Sequence, residues 1–436
     1  MGTWAVPPTI RWWGVLMLAS MYCLQVKSAL FEPPDNAAYV MAWLDTAHND
    51  TPAACNQRTG RDWPMYQLTQ TIPTNSSTNP IPNVDTTAPT YLLDGTGTDA
   101  FLFLTIYPLS AGDMLYVTDA DIQALAAQMK ALNDKGRRVL MRIAPEMNAN
   151  WYPYGQKPSL YIPFFRKIVI AVRKVAPLVA FVWSPTVRGL ESFPAQNAVP
   201  GTLDFTLQDT NNDGVVNSFD DPYSCYYPGD AYVDWVGLTL KYLPPQQPYV
   251  VNTAPSIQTF LLSMEGAGTG NTGIAYDFYQ LFVVGHDKPF CCSDCSAAFY
   301  LAGIFPDAIS VPEGPGELFV KQSWWQQTIT SSTTHSFYPR IKIWGLYEFR
   351  RVANNTYQDF QILNDTDPNG ILPAFLQDVG SSSIRILTAN KTSVVVTPPN
   401  APSSSTKSSS HRKLNISWLT LIFLIPSLIL IVQTQC

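Results

Sequence analysis

Charge is scarce in this chain. Only 14% of its 436 residues are Asp, Glu, Lys or Arg, and the acidic residues outnumber the basic by 33 to 27. A formal net charge of −6 excludes the basic footprint that nucleic acid or an anionic membrane surface would require. Histidine is rarer still, with 4 in the whole sequence. Cys292 and Cys295 have the spacing of a redox or metal half-site, but no second pair and no nearby His completes one. What the chain does have is aromatic residues, at 12%. That balance suits neutral ligands held by stacking and hydrogen bonds rather than by ion pairs.

The two ends read as targeting segments. Trp12 to Val26 form an apolar stretch behind Arg11, ending near Lys27-Ser28-Ala29, so residues 1–29 read as a secretory signal peptide. At the other end, residues 396–410 are a Pro/Ser-rich linker, and 411–436 are a polar spacer followed by the apolar tail Trp418 to Val432. Small residues, spacer and terminal tail make a GPI-anchor signal, a retained single span being the competing reading. Either end-state puts the protein on the outer face of the plasma membrane or in the cell wall. Sugar-acceptor sequons at Asn49, Asn75, Asn354, Asn364 and Asn390 fit that exposure. Removal of both ends leaves Cys55, Cys225, Cys291, Cys292 and Cys295, an odd set that reads as core thiols or one disulfide.

Residues 30–395 are the right length for one large domain. Within them, short apolar runs alternate with helical patterns. Ala38–Leu44, Ala100–Ile106, Arg138–Arg142, Val179–Trp183, Val233–Leu238, Pro289–Cys292 and Ile341–Trp344 read as buried strands. Asp121 to Leu132 carries one apolar helical face, with Thr118 and Asp121 as a capping box and Gly136 as the stop. Similar segments run over Ser159–Val175, Ile274–Val284 and Glu317–Thr330. Repeated strand-then-helix units predict an α/β fold, a (β/α)8 TIM-type barrel.

Arg142-Ile-Ala-Pro-Glu146-Met-Asn148-Ala-Asn150-Trp151-Tyr152-Pro-Tyr154-Gly-Gln156 follows the third of those central runs. A carboxylate thus stands at a strand's C-terminal end beside an amide and several rings. Those groups can protonate a leaving-group oxygen while sugar rings stack on aromatic faces; the plainer reading is a strand-end Glu beside a packed loop. A second loop, Asp209 to Asp220, has oxygen donors at Asp209, Asn211, Asp213, Asn217 and Asp220, a backbone donor at Val215, and Gly214 at position six. This is the spacing of a calcium loop, and also of a polar surface turn. A structural Ca2+ there would stiffen the insertion without entering the chemistry.

Several motifs, in order, resemble glycoside hydrolase family 26, the endo-β-1,4-mannanase family, in its fungal form. They are Ala42-Trp-Leu-Asp45-Thr-Ala, Arg142 to Gln156, Val233-Asp-Trp-Val-Gly-Leu238 and Lys288-Pro-Phe-Cys-Cys-Ser-Asp294, then Lys321-Gln-Ser-Trp324-Trp325 and Phe337 to Ile343. The resemblance implies a retaining glycosidase barrel needing no cofactor for catalysis, with a polysaccharide as partner. It puts Glu146 at the acid/base position, with Pro145 where the family has His. Asp294 falls at the position of the nucleophilic Glu; anchoring on Ala297-Ala-Phe-Tyr300 would place Cys295 there instead. Asn148, Trp151 and Tyr154 match the substrate-binding stretch, and Leu346 stands where a Trp underlies the substrate.

An Asp is one methylene shorter than Glu, so its oxygen retreats by about an ångström from the reacting carbon. The shorter arm either weakens retaining chemistry or admits a water and inverts the outcome. Tyr242, with Lys241 competing for the position, is placed to hydrogen-bond this carboxylate. Asp45 and His48 end the first strand and line the cleft or cap a turn. Two functions therefore remain: a surface-anchored glycoside hydrolase of β-linked, mannan-type glycans, or a glycan-binding wall protein on the same barrel that does not cleave.

Overall fold

The computed structural model describes residues 28–73, 92–109, 114–187, 198–245, 250–267, 274–303, 311–353, 356–364 and 370–392. The signal, linker and anchor segments, and the sequons at Asn75 and Asn354, lie outside them. Among the described residues no helix is long and apolar enough to cross a membrane.

Seven parallel strands follow one another around a closed sheet: β1 (Ala37–Leu44), β2 (Met65–Thr71), β3 (Phe101–Tyr107), β4 (Val139–Ile143), β5 (Val179–Trp183), β6 (Trp235–Thr239) and β7 (Phe290–Asp294). After the short β8 (Phe299–Gly303), β9 (Ile341–Glu348) lies between β7 and β1 and closes the ring. This is the (β/α)8 barrel that the alternating pattern predicts. The seven predicted runs coincide with barrel strands; of the eight in the ring β2 is missed, as are the short β-strands outside it. The β2 sequence Met-Tyr-Gln-Leu-Thr-Gln-Thr is half polar, because Gln67 lies within the barrel wall while Gln70 exchanges amide hydrogen bonds of 2.8 and 2.9 Å with Gln128.

Helices α1 (Pro52–Thr59), α2 (Asp119–Asp134), α3 (Pro158–Arg173), α4 (Leu203–Gln208), α5 (Thr259–Met264), α6 (Glu317–Trp325), α7 (Ser332–Phe337) and α8 (Ile371–Ser381) accompany the strands. The Thr118–Asp121 capping box forms at α2, and Gly136 takes a left-handed φ of 78° just beyond its end. The segment expected to be helical over 274–284 is instead a single π turn, Tyr279–Val284, within which Phe282 packs on Trp183. The five cysteines Cys55, Cys225, Cys291, Cys292 and Cys295 are all free thiols.

Two apolar layers result. Met41, Met65, Phe101, Phe103, Leu140, Trp235, Cys291 and Ile343 fill the barrel interior. The alternate residues, Val40, Leu102, Met141, Phe181, Cys292 and Trp344 among them, pack under the helices. Period-two alternation therefore fixes which residues continue the interior column upward to the C-terminal mouth: Trp43 on β1, Thr105 on β3, Arg142 on β4, Thr239 on β6 and Tyr347 on β9. Beyond the ring, β8 joins β10 (Arg350–Ala353) and β11 (Thr356–Asp359) in a small antiparallel sheet that continues from β9. The short β12 (Arg385–Ile386) pairs with the start of β1.

Candidate active site

The chain leaves β4 through two strained residues. Ala144 and Glu146 have φ of 43° and 58°, a left-handed conformation that costs a non-glycine residue on the order of 1–3 kcal/mol. Neighbouring strands hold them there: Ala144 N–H donates to Ile106 O at 2.8 Å and Glu146 N–H to Ser184 O at 2.9 Å. Gly155 permits the loop to fold back, since a Cβ there would lie 2.0 Å from Ala149 O. Glu146 is thereby fixed at the strand end and only 5% exposed, and half-buried Trp151 donates its indole N–H to Oε2 at 3.0 Å.

The other residues expected to touch sugar have structural duties. Asn148 is buried, and its amide makes a two-way tie to Thr186: Nδ2 donates to Thr186 O at 3.0 Å, and Thr186 N–H donates to Oδ1 at 2.9 Å. Tyr154 is fully buried, stacks on Tyr152 at 4.9 Å and donates its hydroxyl to Pro145 O at 2.8 Å. Both shape the loop that holds Glu146, and the half-buried rings of this stretch are Trp151 and Tyr152.

Asp294 ends β7 as the Lys-Pro motif implies, whereas Cys295 turns into the layer beneath the helices. β7 and its neighbour β9 approach closely here: a Cβ on Gly345 of β9 would lie 2.1 Å from Ser293 O. Asp294 is 2% exposed, and its Oδ2 faces Arg142 Nη1 at 3.3 Å and the Thr239 hydroxyl at 3.4 Å. Arg142 Nη2 also donates to Thr239 Oγ1 at 2.6 Å. Oδ1 is buried without a hydrogen-bond partner, as is Arg142 Nε. Burial works against the charge of Arg142, but the neighbouring charges of Asp294, Tyr107 and Glu146 more than offset it and hold the guanidinium firmly protonated. One cation therefore lies within electrostatic reach of both carboxylates. Thr239 also pairs with Thr186 in an isolated bridge, so a continuous chain of contacts joins the Asn148 tie to Asp294.

Tyr242 does not reach that carboxylate. Its hydroxyl donates to Thr253 O at 3.0 Å, and its ring stacks on Trp324 at 5.7 Å. Asp45 binds His48 Nδ1 at 2.7 Å on the rim. Asp234 ties to Arg173 at 2.6 Å and accepts from Phe181 N–H, a backbone role. Leu346 points under the helices, as does Trp344, and the aromatic ring that this strand turns to the mouth side is Tyr347, one residue after Leu346. Tyr347 pairs in register with Trp43, and the two rings meet edge-on at 5.2 Å. Trp43 and Tyr347 escaped the sequence reading because period two could assign them to the mouth only once the β1–β9 closure was known.

In the loop 209–220, Asp209 accepts from Asp213 and Gly214 N–H, Asp213 from Val215 N–H, and Asp220 from Thr210, Asn211 and Asn217 N–H. Gly214 has the left-handed φ of 84° that the sixth position needs. Among the described residues no group of three or more His, Cys, Asp or Glu side chains gathers closely enough to hold a metal ion.

A search of curated protein sequences finds no match. Among solved structures, Bacillus subtilis mannanase BCman aligns with a TM-score of 0.44 and 14% identity over 73% of this chain and 82% of its own. A modular endo-β-1,4-mannanase from Cellulomonas fimi aligns with a TM-score of 0.47 and 13% identity over 83% and 75% respectively. The model of Glycosyl hydrolase family 26 matches residues 106–254, a span that includes Arg142, Glu146, Thr239 and Tyr242. The resemblance read from the motifs is thus matched by that family's model over residues 106–254.

Proposed function

We propose that this protein hydrolyses β-linked glycans of the mannan type, with Glu146 protonating the glycosidic oxygen and Asp294 as the second carboxylate. The observation that carries the reading is the backbone of Glu146. A left-handed φ at a non-glycine residue persists only where surrounding contacts enforce it, and here they fix a carboxyl at the barrel mouth with an indole N–H on one oxygen. The half-buried rings of Trp43, Trp151 and Tyr152 supply aromatic surface for sugar rings. Reducing-end release from mannan, glucan and xylan, by wild type and Glu146→Ala, tests it. Release from mannan that the variant lacks supports the assignment; release that survives in the variant removes it.

A second reading, glycan binding without cleavage, is favoured by one observation. Both Asp294 oxygens are withdrawn from solvent, Oδ2 onto Arg142 and Oδ1 into the protein. A carboxylate that cannot meet an anomeric carbon cannot serve as nucleophile. Retention on immobilised mannan with no release of reducing ends identifies this case.

The remaining proposals concern the surroundings of the barrel. The composition of residues 396–436 supports GPI anchoring at the outer cell surface, and release by a phosphatidylinositol-specific phospholipase tests it. Donor spacing and the Gly214 turn support Ca2+ at Asp209, Asn211, Asp213, Val215, Asn217 and Asp220. The exposure of Asn49 and Asn390 supports glycosylation there.

A further inference from the structure

The end of the barrel opposite the mouth is closed by residues 29–32. Glu32 N–H donates to Ala29 O at 3.0 Å and makes these four residues a tight turn. Within it Phe31 has a left-handed φ of 69°, which a non-glycine residue keeps only where its surroundings enforce it. The enforcing contacts come from the barrel. Phe31 meets Phe101 edge-on at 5.2 Å, and Leu30 O accepts the indole N–H of buried Trp235 at 2.9 Å. Phe101 opens β3 and Trp235 opens β6, so the turn lies across the N-terminal ends of the strands.

The turn uses Ala29 through both of its backbone groups. Besides the carbonyl bond, Ala29 N–H donates to Glu32 Oε2 at 3.0 Å. Ser28 is exposed, and its one hydrogen bond among the described residues runs from its own hydroxyl to the adjoining Ala29 O at 3.4 Å. The residues that the fold employs therefore begin at Ala29. Glu32, with a side chain 9% exposed, is also held by Arg340 through contacts of 3.0–3.2 Å. Arg340 is shared with Asp287. One guanidinium thus serves two carboxylates, and a second positive charge at Ala29 would balance the group.

We propose that the Ser28–Ala29 bond is a proteolytic processing site, and that the α-ammonium released there is a structural ion-pair partner of Glu32. Hydrolysis by a peptidase leaves the carboxylate on Ser28 and the amine on Ala29, which is protonated at neutral pH. One neutral N–H facing Glu32 becomes three donors and a full charge. The flanking residues suit the cut, since Val26 and Ser28 are uncharged and modest in size, whereas a cut one residue later would put Lys27 in the outer of these two positions. The secretory segment is then residues 1–28, one residue shorter than the sequence alone suggests. Nothing in this depends on what the mouth binds.

The full chain, secreted from a eukaryotic host, supplies the test. Mass spectrometry of its N-terminal peptide should find a start at Ala29. A start at Leu30 or beyond, or a chain that keeps Lys27-Ser28, overturns the site. The ion pair is read separately, by capping the α-amine with a selective reagent that removes its charge. Capping should lower the melting temperature of the wild type by about 1–3 °C and leave that of Glu32→Gln unchanged. Glu32→Asp, which keeps the charge but draws it back by one methylene, should respond less than the wild type, and it serves alone where Glu32→Gln does not fold. A cap that shifts the wild type and the Glu32 variants equally, or shifts none of them, overturns the ion pair.

Discussion

The ends of β4 and β7 each place a carboxylate at the barrel mouth, yet they do it in opposite ways. At β4 the backbone bears the strain: two left-handed residues, a glycine that lets the loop double back, and an amide tie to Thr186 lift Glu146 to the strand end. At β7 the strand carries a register shift on each edge but no left-handed residue, and the side chain is drawn down onto Arg142 and Thr239. The first is built to present a carboxyl group, the second to bury one. Conformational strain is kept where it positions a reacting atom, whereas a buried ion pair keeps its members from reaching outward. The missing methylene of Asp294 accentuates the difference.

The sharpest way to break this comparison is through activity. Glu146→Gln should lower glycan hydrolysis by about 10²–10⁴-fold with affinity kept, as expected for loss of a general acid. Equal losses in Asp294→Asn would make the two ends partners in chemistry; a much smaller loss would leave Asp294 as a structural anion. Stability should rank them the other way. Asp294→Ala strands the Arg142 guanidinium in the interior and should cost about 3–5 kcal/mol in denaturant unfolding. Glu146→Gln keeps shape and hydrogen bonding, and should cost less than about 1 kcal/mol.

A third strand-end carboxylate extends the comparison. Glu348 ends β9 but faces away from the mouth, accepting from Ile362 and Leu363 N–H at 2.8–3.2 Å. Burial raises its pKa to about 7 from the usual 4.5, against the opposing pull of those two amides and Lys321. The folded state therefore holds a proton that the unfolded chain has released. The associated stability is complete below pH 4.5 and lost as pH rises through about 7, on the order of 3 kcal/mol. Unfolding followed across that window should show the decline, and Glu348→Gln should flatten it. The smallest effect belongs to the 209–220 loop. Millimolar Ca2+ should raise the melting temperature by about a degree or two through a weak site of extracellular type, and a chelator should reverse it. An unchanged melting temperature in both would remove calcium from that loop.

Much of the fold is legible because the buried layers here are separate and simple. Strands such as Val179–Trp183, apolar on both faces, announce themselves as continuous runs, and α2 carries its own cap and stop. β2 is hidden because Gln and Thr occupy its buried positions, and the partner that satisfies Gln70 comes from a helix far along the chain. The site divides in the same way. Glu146 is visible from its place just beyond a strand and among rings. Asn148 and Tyr154 look like sugar contacts by composition, and only their hydrogen bonds to Thr186 and Pro145 show them to be loop supports.

The sequence by itself determined the alternation of strand and helix, the family resemblance and the carboxylate at the end of β4, because these depend on local order along the chain. Tertiary structure decided which residues meet across the ring: Arg142 with Asp294, and Trp43 with Tyr347. Those pairings depend on strand register and on the closure of β1 with β9, a contact between residues some three hundred positions apart. No local pattern encodes a partner at that distance, so the burial of Asp294 became visible only in the closed barrel.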